Sequence, residues 1–335
     1  MSPPRVRPIG VLCMAYGTAA GTDDVERYYT DIRGGRAPSP EHLAELRARY
    51  EAIGNRFPLL DVTRQQAAGL ERALNSGRPG PRPFRTYLGM KHSPPFIAEG
   101  VREMERDGVA RAVGLVLAPH WATMSVESYI GRVDKAIADV GGGPEFTFVR
   151  SWYDHPNVVR FLAAGVRDAL AKLPDAVRDE ASVVFTAHSL PTRDADGDRR
   201  CRLCFAPACV ARCEYVAELR ETARLVGDAA GLEAERVTTG WQSAGRTPDP
   251  WWGPPVEDVI RDLADAGRPA VVVCSAGFVA DHLEVLYDLD IEARDVAAEA
   301  GIAFARTEMP NADPAFVRGL AQVVRDHLEE LGVRA

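Results

Sequence analysis

No stretch of this 335-residue chain is apolar for long enough to cross a bilayer, and no basic stripe runs through it. The first apolar run, Ile9–Tyr16, is shorter than the core of a signal peptide or a membrane span, so it reads as a buried first strand. Basic residues are in deficit. Lys and Arg number 40 against 48 Asp and Glu, and the net charge of −8 argues against a nucleic-acid partner. Phosphate-binding glycine patterns are missing too: there is no P-loop, and Met14-Ala15-Tyr16-Gly17-Thr18 has one glycine where a dinucleotide fingerprint needs three. No internal sequence repeat is evident. With no leader and no span, the expected location is the cytoplasm, where cysteines stay reduced and disulfides are not expected.

What the chain does have is a full core composition, 46% hydrophobic with 26% charged, and a length that suggests two domains. Short β-rich runs are expected as strands at Ile9–Tyr16, Phe84–Met90, Ala112–Pro119, Phe146–Trp152, Ser182–His188, Val237–Gln242, Ala270–Ala276 and Ile302–Thr307. Amphipathic stretches between them, such as Pro40–Ile53, Val62–Asn75, Asn157–Leu173 and Glu214–Ala230, are expected as helices. Alternation of this kind implies βαβ crossovers and an α/β class. Eight strands split as four plus four, giving two Rossmann-like domains, each a four-stranded parallel sheet flanked by helices. The expected domains are 1–165 and 166–335, with the last helix able to pack back on the first.

In open parallel sheets ligands sit outside the carboxyl ends of the strands. Histidine stands at three of these ends, as His92, His120 and His188. The segment after the seventh strand carries Glu284, Asp288 and Glu292 at i, i+4 and i+8, one face of a regular helix. Like charges at that spacing repel, so the plain alternative is a solvated acidic face. Following a buried strand, the same row is a path of oxygen ligands suited to a divalent cation. His188, at a strand tip before Ser189-Leu190-Pro191, is by itself as good a structural residue as a catalyst. Beside Glu284 it becomes a proton acceptor, because a carboxylate raises imidazole basicity.

Taken together, Met14-Ala15-Tyr16-Gly17-Thr18, Leu117-Ala118-Pro119-His120, His188-Ser189-Leu190-Pro191, Trp241-Gln242-Ser243 and Gly277-Phe278-Val279-Ala280-Asp281-His282-Leu283-Glu284 resemble the blocks of the ferrochelatase family, in order over nearly the whole chain. The resemblance implies a chelatase-like fold with a porphyrin cleft between its two domains and insertion of Fe2+ as substrate. It implies that His188 and Glu284 are the catalytic pair, with Asp288 and Glu292 continuing a metal line on a helix locally widened to a π-helix. Iron then arrives on the His188–Glu284 side, or with Tyr16 as a first ligand on the opposite face of the ring.

Tyr16 resembles the coproporphyrin III branch of the family, which implies coproheme as product in haem biosynthesis. Arg33, Arg49, Tyr50 and Tyr129 are the matching positions for the propionates, since arginine suits carboxylates. Phe57 departs from the pattern, where relatives have serine before the Pro58-Leu59 pair, and so does Gly34, where a second arginine is often found. The alternatives are the same reaction on protoporphyrin IX, or a non-catalytic haem- or porphyrin-binding iron–sulfur sensor. A transient contact with the next haem-pathway enzyme belongs to the same expectation.

Cys201, Cys204, Cys209 and Cys213 lie within thirteen residues in an insert at 196–214. Four thiols so close in a reduced compartment point to metal, either structural zinc or an iron–sulfur cluster. The resemblance implies a [2Fe–2S] cluster, which some members of the family carry in a short cysteine insert. Cys13 and Cys274 fall inside strands and read as small buried hydrophobes.

Overall fold

Runs that are apolar at successive positions and rich in β-branched residues suit strands covered on both faces. In the computed structural model, which describes residues 7–76, 83–192, 214–245 and 250–333, they form strands, buried throughout at Ile9–Ala15 and Ala270–Ser275 and partly exposed at Phe84–Met90, Glu145–Val149 and Val237–Gln242. The order is β1 (Ile9–Ala15), α1 (Val25–Ile32), α2 (Pro40–Ala52), α3 (Leu59–Asn75), β2 (Phe84–Met90), α4 (Ile97–Arg106), β3 (Arg111–Val116), α5 (Ser128–Val140) and β4 (Glu145–Val149). It continues with α6 (Pro156–Ala171), α7 (Asp175–Arg178), β5 (Ser182–His188), α8 (Glu214–Ala230), β6 (Val237–Gln242), α9 (Val256–Asp265) and β7 (Ala270–Ser275). Last come α10 (Leu283–Tyr287), a π-helical turn at Asp288–Ala293, α11 (Arg294–Glu299), β8 (Ala303–Arg306) and α12 (Pro314–Glu330).

Contacts divide the chain into two units. The first holds Met1–Leu117, Val126–Trp152 and Pro310–Ala335; the second holds Ala118–Ser125 and Tyr153–Met309. Residue 165, where the sequence suggests a boundary, falls inside α6, which lies with the second unit. Each unit contains one four-stranded, wholly parallel sheet, ordered β2-β1-β3-β4 and β6-β5-β7-β8. The two orders are the same pattern, and each reverses direction once, between β1 and β3 and between β5 and β7. A reversal of this kind leaves a crevice outside the carboxyl ends, where loops diverge to opposite faces of the sheet.

α12 starts on Asp313, whose carboxylate accepts the N–H groups of Ala315 and Phe316, with Pro314 at the first helical position. Its buried face, including Phe316, Leu320 and Val324, packs against the first unit, where it meets α3 and β4. No helix among the described residues is long and apolar enough to cross a membrane.

The acidic segment departs from the regular helix that its spacing suggests. A residue spacing of four overshoots an α-helical turn by about 40° per step, so a row at 284, 288 and 292 spirals away from one face. The wider turn at Asp288–Ala293 takes that rotation back. It also keeps the apolar row Val285, Leu289 and Ala293 on the core formed with Val256, Ile260 and Val273. Burial of the apolar row and alignment of the acidic row have one cause.

Gly277 leaves β7 so close to β5 that an added Cβ would lie 2.5 Å from the Ala187 Cβ and 2.7 Å from its Cα, while its N–H donates to the Thr186 carbonyl at 2.9 Å. Gly277→Ala is therefore expected to lower stability by about 1–3 kcal/mol through overpacking. Gly131→Ala, in open space on α5, should be neutral or stabilising by up to about 1 kcal/mol. Denaturant melts of the two variants check this, and equal stabilities would refute it.

Candidate active site

Within the second unit, three strand exits share one sheet edge. β5 ends on His188, paired with Gln242 at the end of β6, and β7 leads through Gly277 to the loop before α10. The His188 Nδ1 lies against the Ser189 carbonyl, so this nitrogen donates and Nε2 is left to take up a proton. Nε2 stands 3.7 Å from Glu284 Oε1, and both side chains keep 31% of their surface exposed. Glu284 Oε2 is in turn 3.6 Å from the Nε2 of His282, whose Nδ1 lies 3.0 Å from the Ala280 carbonyl. The His188 ring is flanked by Trp251 and by the edge of Phe278.

Burial opposes the charged form of both members of the pair, yet their mutual attraction prevails. Against that burial, the Glu284 charge and the Ser189 carbonyl raise His188 above the ordinary histidine value. Glu284, against the same desolvation, is held well below the usual carboxylate range by His188 and His282. Around neutrality Glu284 is therefore a carboxylate, and His188 holds a proton to higher pH than a free imidazole.

The Trp241-Gln242-Ser243 block supports this pair. Buried Gln242 accepts from Thr186 Oγ1 at 2.8 Å and donates to the Glu284 carbonyl at 3.3 Å, tying the start of α10 to β5 and β6. Ser243 has φ 60°, a conformation costly for a residue other than glycine, and its hydroxyl donates to Asp288 Oδ2. Asp288 is 2% exposed, so that hydroxyl compensates a buried carboxylate. Glu292 is half-buried, and its charge helps to raise Glu257 on α9, although burial of Glu257 is the larger cause. Among the described residues no three or more histidine, cysteine or carboxylate side chains are arranged to hold a metal ion.

In the first unit a different set meets beyond β1 and β2. Tyr16 is 42% exposed, its ring 4.6 Å from that of His92. The Lys91 ammonium donates to Ser128 Oγ at 2.7 Å and lies 5.8 Å from the Tyr16 ring and 5.2 Å from the Tyr129 ring. Burial, with Arg132 nearby, brings Lys91 down to about 8. His92, lowered chiefly by burial, pairs with Asp31 at 2.7 Å. Tyr129 is buried in the first turn of α5, which pushes its phenol up, with the nearby Tyr16 adding to the effect.

Arg33, at the end of α1, lies 5.7 Å from the Tyr29 ring, and its Nε is buried without a hydrogen-bond partner. Arg49 and Tyr50 are on α2; Arg49 is half-buried, and Tyr50 is 3% exposed and stacked at 4.5 Å on Phe57. The residue that departs from the family pattern thus covers one of the tyrosines expected to reach a propionate. Cys201, Cys204, Cys209 and Cys213 lie outside the described residues. Cys13 and Cys274 are buried free thiols, each pushed up to about 12 mainly by burial.

Sequence reasoning left Lys91, Asp31, His282, Gln242 and Ser243 without roles. Position after a strand was the available signal for most of them, since Lys91, Gln242 and Ser243 all stand at strand ends. His120 has a role of another kind. Its Nε2 is 2.9 Å from Thr222 Oγ1, its Nδ1 is buried without a partner, and burial lowers it to about 3. The adjoining Trp121 N–H donates to buried Glu218 at 2.6 Å, so the pair fastens this loop to α8.

A histidine neutral in the fold but basic when unfolded makes the unfolded chain bind the extra proton. Stability from His120 is therefore present above about pH 6.5 and lost as pH falls toward about 3, by at most about 1.4 kcal/mol per pH unit. His120→Gln should flatten this limb in urea melts at a series of pH values. An unchanged slope would assign the acid sensitivity elsewhere.

Comparison with known proteins places these features in context. A family model described as Ferrochelatase matches residues 8–328. The chain is 45% identical over 326 residues to a coproporphyrin III ferrochelatase of Anoxybacillus flavithermus, covering 97% of this chain and 98% of that one. It is likewise 45% identical over 328 residues to the coproporphyrin III ferrochelatase of Bacillus subtilis, covering 97% and 99%. Among solved structures, SirB from Bacillus subtilis with Fe3+ aligns with a TM-score of 0.58 at 10% identity, over 98% of this chain and 99% of that one. At that identity the likeness is one of fold alone: two four-stranded parallel sheets flanked by helices.

Proposed function

The chain belongs to the ferrochelatase family, and from that premise we propose that it inserts Fe2+ into coproporphyrin III, with His188 and Glu284 as its catalytic pair. The observation that carries the assignment of roles is the 3.7 Å approach of His188 Nε2 to Glu284 at the strand-order reversal of the second sheet. A free-base porphyrin holds two N–H protons that must leave before a divalent ion can occupy its centre. His188 Nε2 is the base that accepts a pyrrole proton, since Nδ1 is occupied by the Ser189 carbonyl. Glu284 stabilises the resulting imidazolium and, placed between two imidazoles, provides the exit for that proton.

Glu284, Asp288 and Glu292 supply oxygen ligands along which Fe2+ reaches the ring. Tyr16 is a further candidate iron contact; its exposed ring at the end of β1 supports that reading. Arg33, Arg49, Tyr50 and Tyr129 are proposed for the propionates. Coproporphyrin III carries four of these, and the names of the relatives favour it over protoporphyrin IX.

Side-by-side anaerobic insertion assays with the two porphyrins test substrate and reaction together, with faster turnover expected on coproporphyrin III. His188→Ala should retain porphyrin binding and lose insertion by about 10²–10⁴-fold. Normal turnover by this variant would sink the assignment.

The pH dependence is a separate check. His188 accepts a proton only when neutral, so the rate should rise as pH passes through its raised titration, above 6.5. Glu284→Gln removes the charge that raises it. The maximum should fall and the rising limb should move to lower pH; a limb that stays in place would show that another group controls it.

The four cysteines are proposed to hold a [2Fe–2S] cluster, on the strength of four thiols within thirteen residues. When bound, such a cluster supplies one-electron chemistry, and insertion of Fe2+ without change of oxidation state makes no use of it. The isolated protein should contain about two iron and two sulfide per chain and absorb in the visible. A colourless preparation containing zinc would replace the cluster with a structural zinc site.

A further inference from the structure

A guanidinium carries five N–H donors in a rigid plane, so a buried arginine fixes the position of whatever accepts from it. Arg306 closes β8 at the edge of the second sheet, with a side chain 13% exposed. Its Nε donates to Asp290 Oδ1 at 2.6 Å, its Nη2 to Asp290 Oδ2 at 2.9 Å, and its Nη1 to the Thr307 carbonyl at 2.9 Å. Asp281 Oδ1 stands 3.8 Å from Nη2. The mechanism proposed above uses none of these three side chains.

Their places in the chain give them a meaning. Asp281 lies three residues before Glu284, and Asp290 is the third residue of the π-helical turn. One guanidinium therefore grips both ends of the stretch that carries Glu284 and Asp288. A π-helical turn inserts a residue into an α-helix, and its loss would rotate everything beyond it by about 100°. Such a rotation would take Glu292, inside the turn, out of line with Glu284 and Asp288. Apolar burial of Leu289 and Ala293 favours the wide turn, but it acts without direction. The two parallel hydrogen bonds to Asp290 are directional and tie the turn to the sheet.

We propose that Arg306 is a positioning residue for iron insertion, holding the π-helical turn through Asp290 and the preceding loop through Asp281 so that Glu292 stays in line with Glu284 and Asp288. The proposal rests on the reading of Glu284, Asp288 and Glu292 as the iron path. Arg306 touches neither iron nor porphyrin in this scheme, so its loss should change how the metal is handled and leave porphyrin recognition alone.

The test compares Asp290→Asn, Arg306→Lys and Arg306→Ala in the full chain. Steady-state insertion should show KM for Fe2+ raised by roughly tenfold in Asp290→Asn, with KM for porphyrin within about twofold of the parent. Hydrogen exchange in porphyrin-free protein should show amides of 284–293 exchanging at least about tenfold faster, with β5 and β7 unchanged. Arg306→Lys keeps the charge but not the paired geometry and should fall between parent and Asp290→Asn. If Arg306→Ala fails to fold, Asp290→Asn, nearly isosteric, decides. A lower melting temperature with unchanged KM for Fe2+ and unchanged exchange would make the pair merely structural and overturn the proposal. If the parent protein inserts no iron at all, the proposed function fails, whereas the exchange measurement still decides whether Arg306 holds the turn.

Discussion

Because β5 lies parallel between β6 and β7, with His188 opposite Gln242 and Thr186 opposite Ser275, the chain leaves all three strands at one edge of one sheet. Everything chemical in the second unit depends on that arrangement. His188 leaves from the first strand and Ser243 from the second, while the third leads past Gly277 to His282 and Glu284. Gly277 N–H and the Gln242 side chain then tie the loops back to the sheet, so the imidazole–carboxylate distance is set by backbone pairing and not by flexible surface contacts.

Charge in this region is placed where it is costly and then compensated locally. Asp288 is buried against a serine hydroxyl, Glu284 stands between two imidazoles, and Arg306 is neutralised by Asp290. Low exposure strengthens each of these contacts, since water competes less for the same donors. The consequence is a carboxylate that stays ionised and a histidine that binds protons firmly, as the proposed proton transfer requires.

The first unit repeats the strand order with other chemistry. Its strand ends present Lys91 among the rings of Tyr16 and Tyr129, and His92 paired with Asp31. Lys91 and the phenols of Tyr16 and Tyr129 meet there, whereas the second unit gathers His188 and His282 around Glu284.

The strands were legible from sequence in number and place, Phe84–Met90, Ser182–His188 and Val237–Gln242 to their ends, while Ala112–Pro119 and Phe146–Trp152 overran β3 and β4 by three residues. His188 and Glu284 were candidates from the same reading, as members of motifs that resemble the ferrochelatase family. The π-helical turn was not to be had from spacing, since residues four apart are read as one face of an α-helix whether or not the turn is widened. Sixteen residues separate Asp290 from Arg306, and nothing local in the sequence announces the pair. By itself the sequence determined the α/β class, the strand count and the catalytic candidates, because burial and motif chemistry are properties of short segments. Only the tertiary structure decided which charge answers which, and in what register the acidic row stands, because those depend on distances between segments that sequence order does not contain.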